Sequence, residues 1–185
     1  GTMEDLQSLV NTAHQNGMQV ILDWIGNHTS WDNAWVAAHP DWYTGPQTGD
    51  EQQWTDVTFL NYSQPAVCDA MQDAMLYWVD EAGVDGFRCD YAHGVPVDFW
   101  TKVNAEIFKR KKDAIMLAET SDVRLCNAGF NLLYSWSYMY AIESLYKGTG
   151  SFASVLSTSK SEYESTPNGC ERMRYVTTHD ETSQV

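Results

Sequence analysis

The sequence predicts an α/β fold, in which parallel strands alternate with helices and form part of a (β/α)8 barrel. Three observations carry this. Helix and strand patterns alternate along the chain with no hairpin signal, which indicates a parallel sheet with its helices outside. The strands are short apolar runs, the pattern of strands buried on both faces. Four of them end in Asp23, Asp90, Glu119 and the pair His179-Asp180. An open doubly wound sheet fits the alternation equally well, but it would hold those ends apart. A closed barrel gathers them at one mouth, where the active sites of such barrels lie.

The elements follow in order. Thr2 caps a first helix, with Glu4 and Asp5 in its first turn, Leu6, Leu9, Val10 and Ala13 on one face, and Gly17 able to end it. Val20-Ile21-Leu22 is a buried strand ending at Asp23. Residues 29–62, rich in Trp, Pro, Gly and Asp, are too long for an ordinary connection and form a functional insertion. Pro65 opens a helix with the stripe Val67, Met71, Met75, Trp78 and Val79, and Gly83 ends it. Val84 to Asp90 is a strand. Pro96 opens a helix with Phe99, Trp100, Val103 and Ile107 inward, and Lys109-Arg110-Lys111-Lys112 lies near its negative dipole end. Strands over Ala114–Glu119 and Phe130–Leu133 follow, then helical sequence to about Tyr163. A last strand is expected over Met173–Thr178, running straight into His179-Asp180.

Composition narrows the function. The chain has 185 residues, 43% hydrophobic and 19% charged, a globular balance. No run of 18 apolar residues is present, so no transmembrane helix is expected, and residues 1–17 read as a mature helix and not a signal peptide. A net charge of −14 repels nucleic acid but suits neutral sugars. Eight Trp and ten Tyr serve both core packing and sugar stacking. Cys68, Cys89, Cys126 and Cys170 show no zinc or redox spacing, and sequence cannot separate their three possible pairings. The helix position of Cys68 and the strand position of Cys89 point to buried free thiols. The five histidines show no paired ligand spacing, which argues against a metal-dependent hydrolase.

Arg88 and Asp90, two apart on a strand, leave the same face toward the mouth, and the guanidinium favours an ionised carboxylate, as a nucleophile needs. Glu119 follows the apolar run Ala114–Ala118, and a carboxyl with apolar walls tends to hold its proton. Two unlike carboxyls on neighbouring strands meet the demands of glycoside cleavage with retention of configuration.

The segments Val20-Ile-Leu-Asp-Trp-Ile-Gly-Asn-His28, Gly86-Phe-Arg-Cys-Asp90, Met116-Leu-Ala-Glu119 and Val176-Thr-Thr-His-Asp180 resemble, in order and in strand context, the four sequence regions of the α-amylase family, glycoside hydrolase family 13. The resemblance covers essentially the whole chain. It implies that Asp90 is the nucleophile, Glu119 the acid/base and Asp180 the carboxylate that stabilises the transition state. Arg88, His28, His179, Asp23 and Trp24 would serve substrate binding or support the site floor. It further implies a partial TIM barrel, strands 3 to 7, in which residues 1–185 are catalytic domain and 29–62 a reduced second domain. In the insertion, Trp31, Trp35, Trp42, Tyr43 and Trp54 would wall the cleft or pack within the loop.

The sequence departs from the family pattern at several places. The usual Lys-His after the nucleophile is replaced by His93-Gly94, Thr178 stands where Asn usually precedes His-Asp, and Phe59 stands where an aspartate is common. Asn27 remains as a metal ligand, but two lost contributors weigh against the family's structural calcium, and the chemistry itself needs no cofactor. The expected activity is retaining hydrolysis of α-1,4 bonds in starch or maltooligosaccharides. The alternatives are a transferase or isomerase of the same family (a branching enzyme, a glucanotransferase, a trehalose-forming enzyme) and a non-catalytic sugar-binding barrel. The partners expected are an α-glucan substrate and the rest of the same polypeptide, which must close the barrel. The polymeric substrate points to a secreted or periplasmic site of action.

Overall fold

The computed structural model describes residues 1–45 and 54–180. Helix α1 spans Met3–Gln15 and starts from a capping box, in which the Thr2 side chain accepts from the Asp5 N–H and Asp5 accepts from the Thr2 N–H. Strand β1 is Ile21–Ile25. After the insertion, helix α3 covers Pro65–Tyr77, with Pro65 in its first turn, and widens into a π-helical turn over Trp78–Ala82 before Gly83 reverses the chain at φ 71°. Strand β5 is Gly86–Asp90, helix α4 Val97–Arg110 and strand β6 Ile115–Ala118. A short helix α5, Arg124–Asn127, precedes β7, Leu132–Tyr134. Helices α6, Trp136–Tyr146, and α7, Phe152–Ser165, lead to β8, Glu171–Met173.

The strands β1, β5, β6, β7 and β8 form one parallel sheet in that order. The core lies between this sheet and its helices: Phe87, Cys89 and Met116 from the strands meet Met75 of α3 and Trp100, Val103 and Ile107 of α4, all fully buried. Gly86 permits a close approach of β5 to β6, because a Cβ there would sit 1.9 Å from the Ile115 carbonyl oxygen. Five parallel strands in sequence order, with helices between successive strands, make an arc of a barrel, and a closed barrel takes eight.

The insertion is more ordered than its loop-like sequence predicts. Strands β2 (His28–Ser30), β3 (Tyr43–Gly45) and β4 (Val57–Leu60) form an antiparallel sheet in the order β2-β4-β3, with a one-and-a-half-turn helix α2 (Ala34–Ala38) between β2 and β3. Strands of three or four residues are too short to display an alternating pattern, which is why no hairpin signal was visible.

Two expectations, for the last strand and the cysteines, need correction, and one, the helical stretch, is refined. The last strand lies at Glu171–Met173, not Met173–Thr178, and His179-Asp180 stand well beyond its end. The β-branched run misleads because β7 stops at Tyr134, where Ser135 opens α6, so the ladder has no partner for residues 174–178. The helical stretch to Tyr163 is two helices, divided at Gly148–Gly150. Only two cysteines are free, Cys68 and Cys89, whereas Cys126 and Cys170 form a disulfide across 44 residues that joins α5 to the start of β8. Replacing both Cys126 and Cys170 with Ala is expected to cost about 2–4 kcal/mol, read as a lowered denaturation midpoint. A midpoint equal to that of the parent would show that the bridge does not constrain the unfolded chain.

At the opposite end of the sheet from the mouth, Asp85 (7% exposed) ties four elements together. It accepts from the Val20 N–H (2.7 Å) and Lys111 Nζ (2.5 Å) and lies 2.8 Å from His14 Nε2. Burial alone would push its carboxyl up, but these donors outweigh burial and hold it below the usual range. The stabilisation is therefore present above the unfolded-state value near 3.9 and is lost as pH falls through the lower folded value. Asp85→Asn is expected to destabilise by about 3 kcal/mol, because it leaves Lys111 without its carboxylate, and to flatten the acid limb of the stability curve. An unchanged acid limb would contradict this assignment.

Candidate active site at the strand ends

The parallel register builds the site. Asp23 on β1 pairs with Arg88 on β5, and Ile25 pairs with Asp90, so Asp23 and Arg88 share a level with Asp90 one pleat above. Arg88, buried at 8% exposure, is the hub. Its Nη1 donates to Asp23 (2.9 Å) and Asp90 (2.7 Å), and its Nε donates to the Tyr134 hydroxyl (3.3 Å). Its Nη2 lies 2.7 Å from Glu119 Oε1, an ion-pair contact not aligned as a hydrogen bond. Burial opposes the charge, but Tyr134 and the three carboxylates hold the guanidinium more firmly protonated than usual.

Glu119 follows β6, and its other oxygen accepts from the Tyr91 N–H at 2.9 Å. Burial pushes its carboxyl above the ordinary value. The Tyr91 N–H and Arg88 pull it down, Asp90 pushes it up, and the net direction is upward. A carboxyl shifted upward beside a second carboxylate held by arginine is the kind of unlike pair in which one group can act as an acid and the other as a nucleophile.

Asp90, Glu119, His28, Trp54 and Asp180 line one open cleft of about 900 Å³. Burial lowers the His28 imidazole below its usual value, against the opposing charges of Asp90 and Asp56, and so favours the uncharged ring. Asp180 reaches the same cleft while remaining exposed, with His179 Nε2 3.4 Å from its carboxylate. Asp23 lies off the cleft and braces Arg88. Trp24 packs edge-on against Phe87 (5.8 Å) as part of the core, and also stands off the cleft. Within the insertion, Trp35 and His39 pack on Trp42, and Trp31 donates to the Thr55 carbonyl. Trp54 alone of the five aromatics named above faces the cleft.

Several residues here were invisible to sequence reasoning. Tyr134, at the end of β7, supports Arg88 from below and contacts Trp136 and Tyr175. Trp136 and Asp56 line the cleft. A tyrosine ending a strand after Leu132-Leu133 carries no signal that separates it from core. Asn27 is buried, and its side-chain amide is 3.4 Å from His28 Nδ1.

The sequence matches the family profile for the α-amylase catalytic domain over residues 1–59 and 51–132. It is 28% identical to an α-amylase, MalA, of Haloarcula japonica across the whole of this chain and 30% of that protein. It is 32% identical to an α-1,4-glucan:maltose-1-phosphate maltosyltransferase of Bifidobacterium longum, over 64% of this chain and 17% of that protein. Among solved structures, a maltogenic α-amylase of Thermotoga neapolitana superposes with a TM-score of 0.87 at 32% identity, covering 97% of this chain and 43% of the other. An α-amylase of Lactobacillus plantarum superposes with a TM-score of 0.89 at 27% identity, covering all of this chain and 49% of the other. The chain thus spans less than half the length of each of these relatives.

Proposed function

The chain belongs to the α-amylase family, and from that premise we propose that it carries the catalytic centre of a retaining enzyme cleaving α-1,4-glucosidic bonds of starch or maltooligosaccharides. The observation that supports this best is the placement of Asp90 and Glu119 on one guanidinium, each with an oxygen 2.7 Å from Arg88. Carboxyls held by one arginine accord with the roughly 5–5.5 Å separation of retaining enzymes more than with the wider gap that admits a water in inverting ones.

Glu119 gives its proton to the glycosidic oxygen as Asp90 attacks the anomeric carbon. The leaving sugar departs and a glycosyl ester on Asp90 remains. Glu119, now ionised, takes a proton from water, and the hydroxide so formed displaces Asp90 with net retention. His28, in the same cleft as Asp90, would hydrogen-bond the sugar, and Asp180 would stabilise the cationic transition state. No cofactor enters these steps. The disulfide and the polymeric substrate together favour an oxidising site of action outside the cytoplasm.

A chromogenic maltooligosaccharide, given to the intact enzyme that carries this chain, tests the reading through its products. Reducing sugar released in step with the chromophore supports hydrolysis. The maltosyltransferase relative favours a second reading, transfer. In that case the chromophore would outrun free sugar, and added maltooligosaccharide would be elongated. No turnover of any α-glucoside would refute both.

A further inference from the structure

We propose that Tyr91 is a positioning residue that locks the insertion to the barrel without a metal ion and, through its backbone N–H, sets the Glu119 carboxyl in place. The proposal rests on the reading of Glu119 as acid/base. Tyr91 is the only non-glycine residue at positive φ among the described residues, at φ 43°. A left-handed tyrosine is strained and persists only where its surroundings hold both ends.

Both ends are held. The N–H donates to Glu119 Oε2 at 2.9 Å. The ring lies between Trp54, edge-on at 5.0 Å, and His93 at 4.1 Å. Trp54 in turn stacks on Phe59 of β4 (5.9 Å) and meets His28 of β2 edge-on (5.5 Å), and those two residues are register partners in the insertion sheet. One aromatic chain therefore runs from the insertion, through Tyr91, to the end of β5.

Gly94 makes the seat. A Cβ at that position would fall 2.5 Å from the Tyr91 ring and 2.5 Å from Asn27 Oδ1. Asn27 also accepts the Leu60 N–H through its backbone carbonyl, so its place is tied to the insertion as well. The same surroundings do not fit a calcium ion. The Asn27 side-chain oxygen and the Tyr91 ring both crowd the place a Gly94 Cβ would take, and Phe59 brings a ring stacked on Trp54 and no oxygen ligand. Calcium takes about six to eight oxygen ligands. Here aromatic ring packing, together with the Leu60 N–H to Asn27 carbonyl hydrogen bond, joins the insertion to the barrel.

The test uses the intact enzyme that carries this chain, with wild type, Tyr91→Ala, Tyr91→Phe and Gly94→Ala. Gly94→Ala lies off the cleft and displaces the ring only by steric conflict. It is expected to lower kcat roughly ten- to hundred-fold, the scale of a catalytic group misplaced by about an ångström, with a smaller change in KM. Tyr91→Ala should fall similarly, and Tyr91→Phe, which keeps ring and N–H, should restore most of that loss. In wild type, EDTA followed by calcium should leave both Tm and kcat where they were, and calorimetric titration with calcium should show no binding at this place. A kcat unmoved by Gly94→Ala, or a Tm lowered by EDTA and restored by calcium, would overturn the proposal. If the enzyme turns over no α-glucoside, the reading of Glu119 fails, while the chelator and calorimetry arms still decide the metal-free lock.

Discussion

Asp90→Asn is expected to lower kcat by about 10⁴-fold or more, the scale seen when a nucleophile is removed from a covalent mechanism. The amide is nearly isosteric, and its oxygen can still accept from Arg88 Nη1, which holds the carboxylate at 2.7 Å. What is lost is the oxygen that bonds to the anomeric carbon. Tm should stay within a degree or two of the parent, and that separates lost chemistry from lost fold. A variant that retained a tenth of the parent activity would show that Asp90 does not form the covalent bond.

Glu119→Gln is expected to lose roughly 10²–10⁴-fold on maltooligosaccharides, the usual contribution of a general acid/base. The loss should depend on the leaving group. A glycosyl fluoride needs little proton donation, so its first step should survive, and the glycosyl-enzyme should accumulate because no base activates water. The pH profile carries a second signature. Burial and the Asp90 carboxylate raise the Glu119 carboxyl above its ordinary value, although the Tyr91 N–H and Arg88 oppose them. With Glu119 as the proposed acid, its protonated form is the active one, so a raised value extends kcat/KM to higher pH, and activity is expected to fall as pH rises through it. In the Gln variant that basic limb should vanish. A limb that stayed in place would assign it to another group.

Much of the architecture was legible because parallel strands buried on both faces leave few options in sequence. Val20-Ile21-Leu22 and Ala114–Ala118 read as strands for that reason, and the cap at Thr2 and the first-turn proline Pro65 announced their helices. The carboxylates of the mouth were legible because each lies at or beyond a strand end, and the geometry brings Asp90, Glu119 and Asp180 to one cleft. Contacts between distant segments left no local mark. The placement of Tyr134 under Arg88 and the fit of Tyr91 over Gly94 depend on which strands become neighbours, and the Cys126–Cys170 pairing depends on how α5 meets the start of β8. Trp24 misleads for the opposite reason. It sits beside Asp23 in a motif of the mouth, but period-2 alternation turns it to the other face of β1, against Phe87. The strand over Met173–Thr178 failed because β propensity describes a residue's fit to a ladder, and here the ladder had already ended.

The most direct test of the central claim is mass mapping of the intermediate. The Glu119→Gln variant of the intact enzyme is loaded with an α-maltosyl fluoride, quenched in acid and digested. A peptide containing Asp90 is expected to be heavier by one maltosyl unit, with the mass located on the Asp90 side chain. A glycosylated peptide that lacks Asp90, or turnover of the fluoride whose first-formed product has the β configuration, would contradict it.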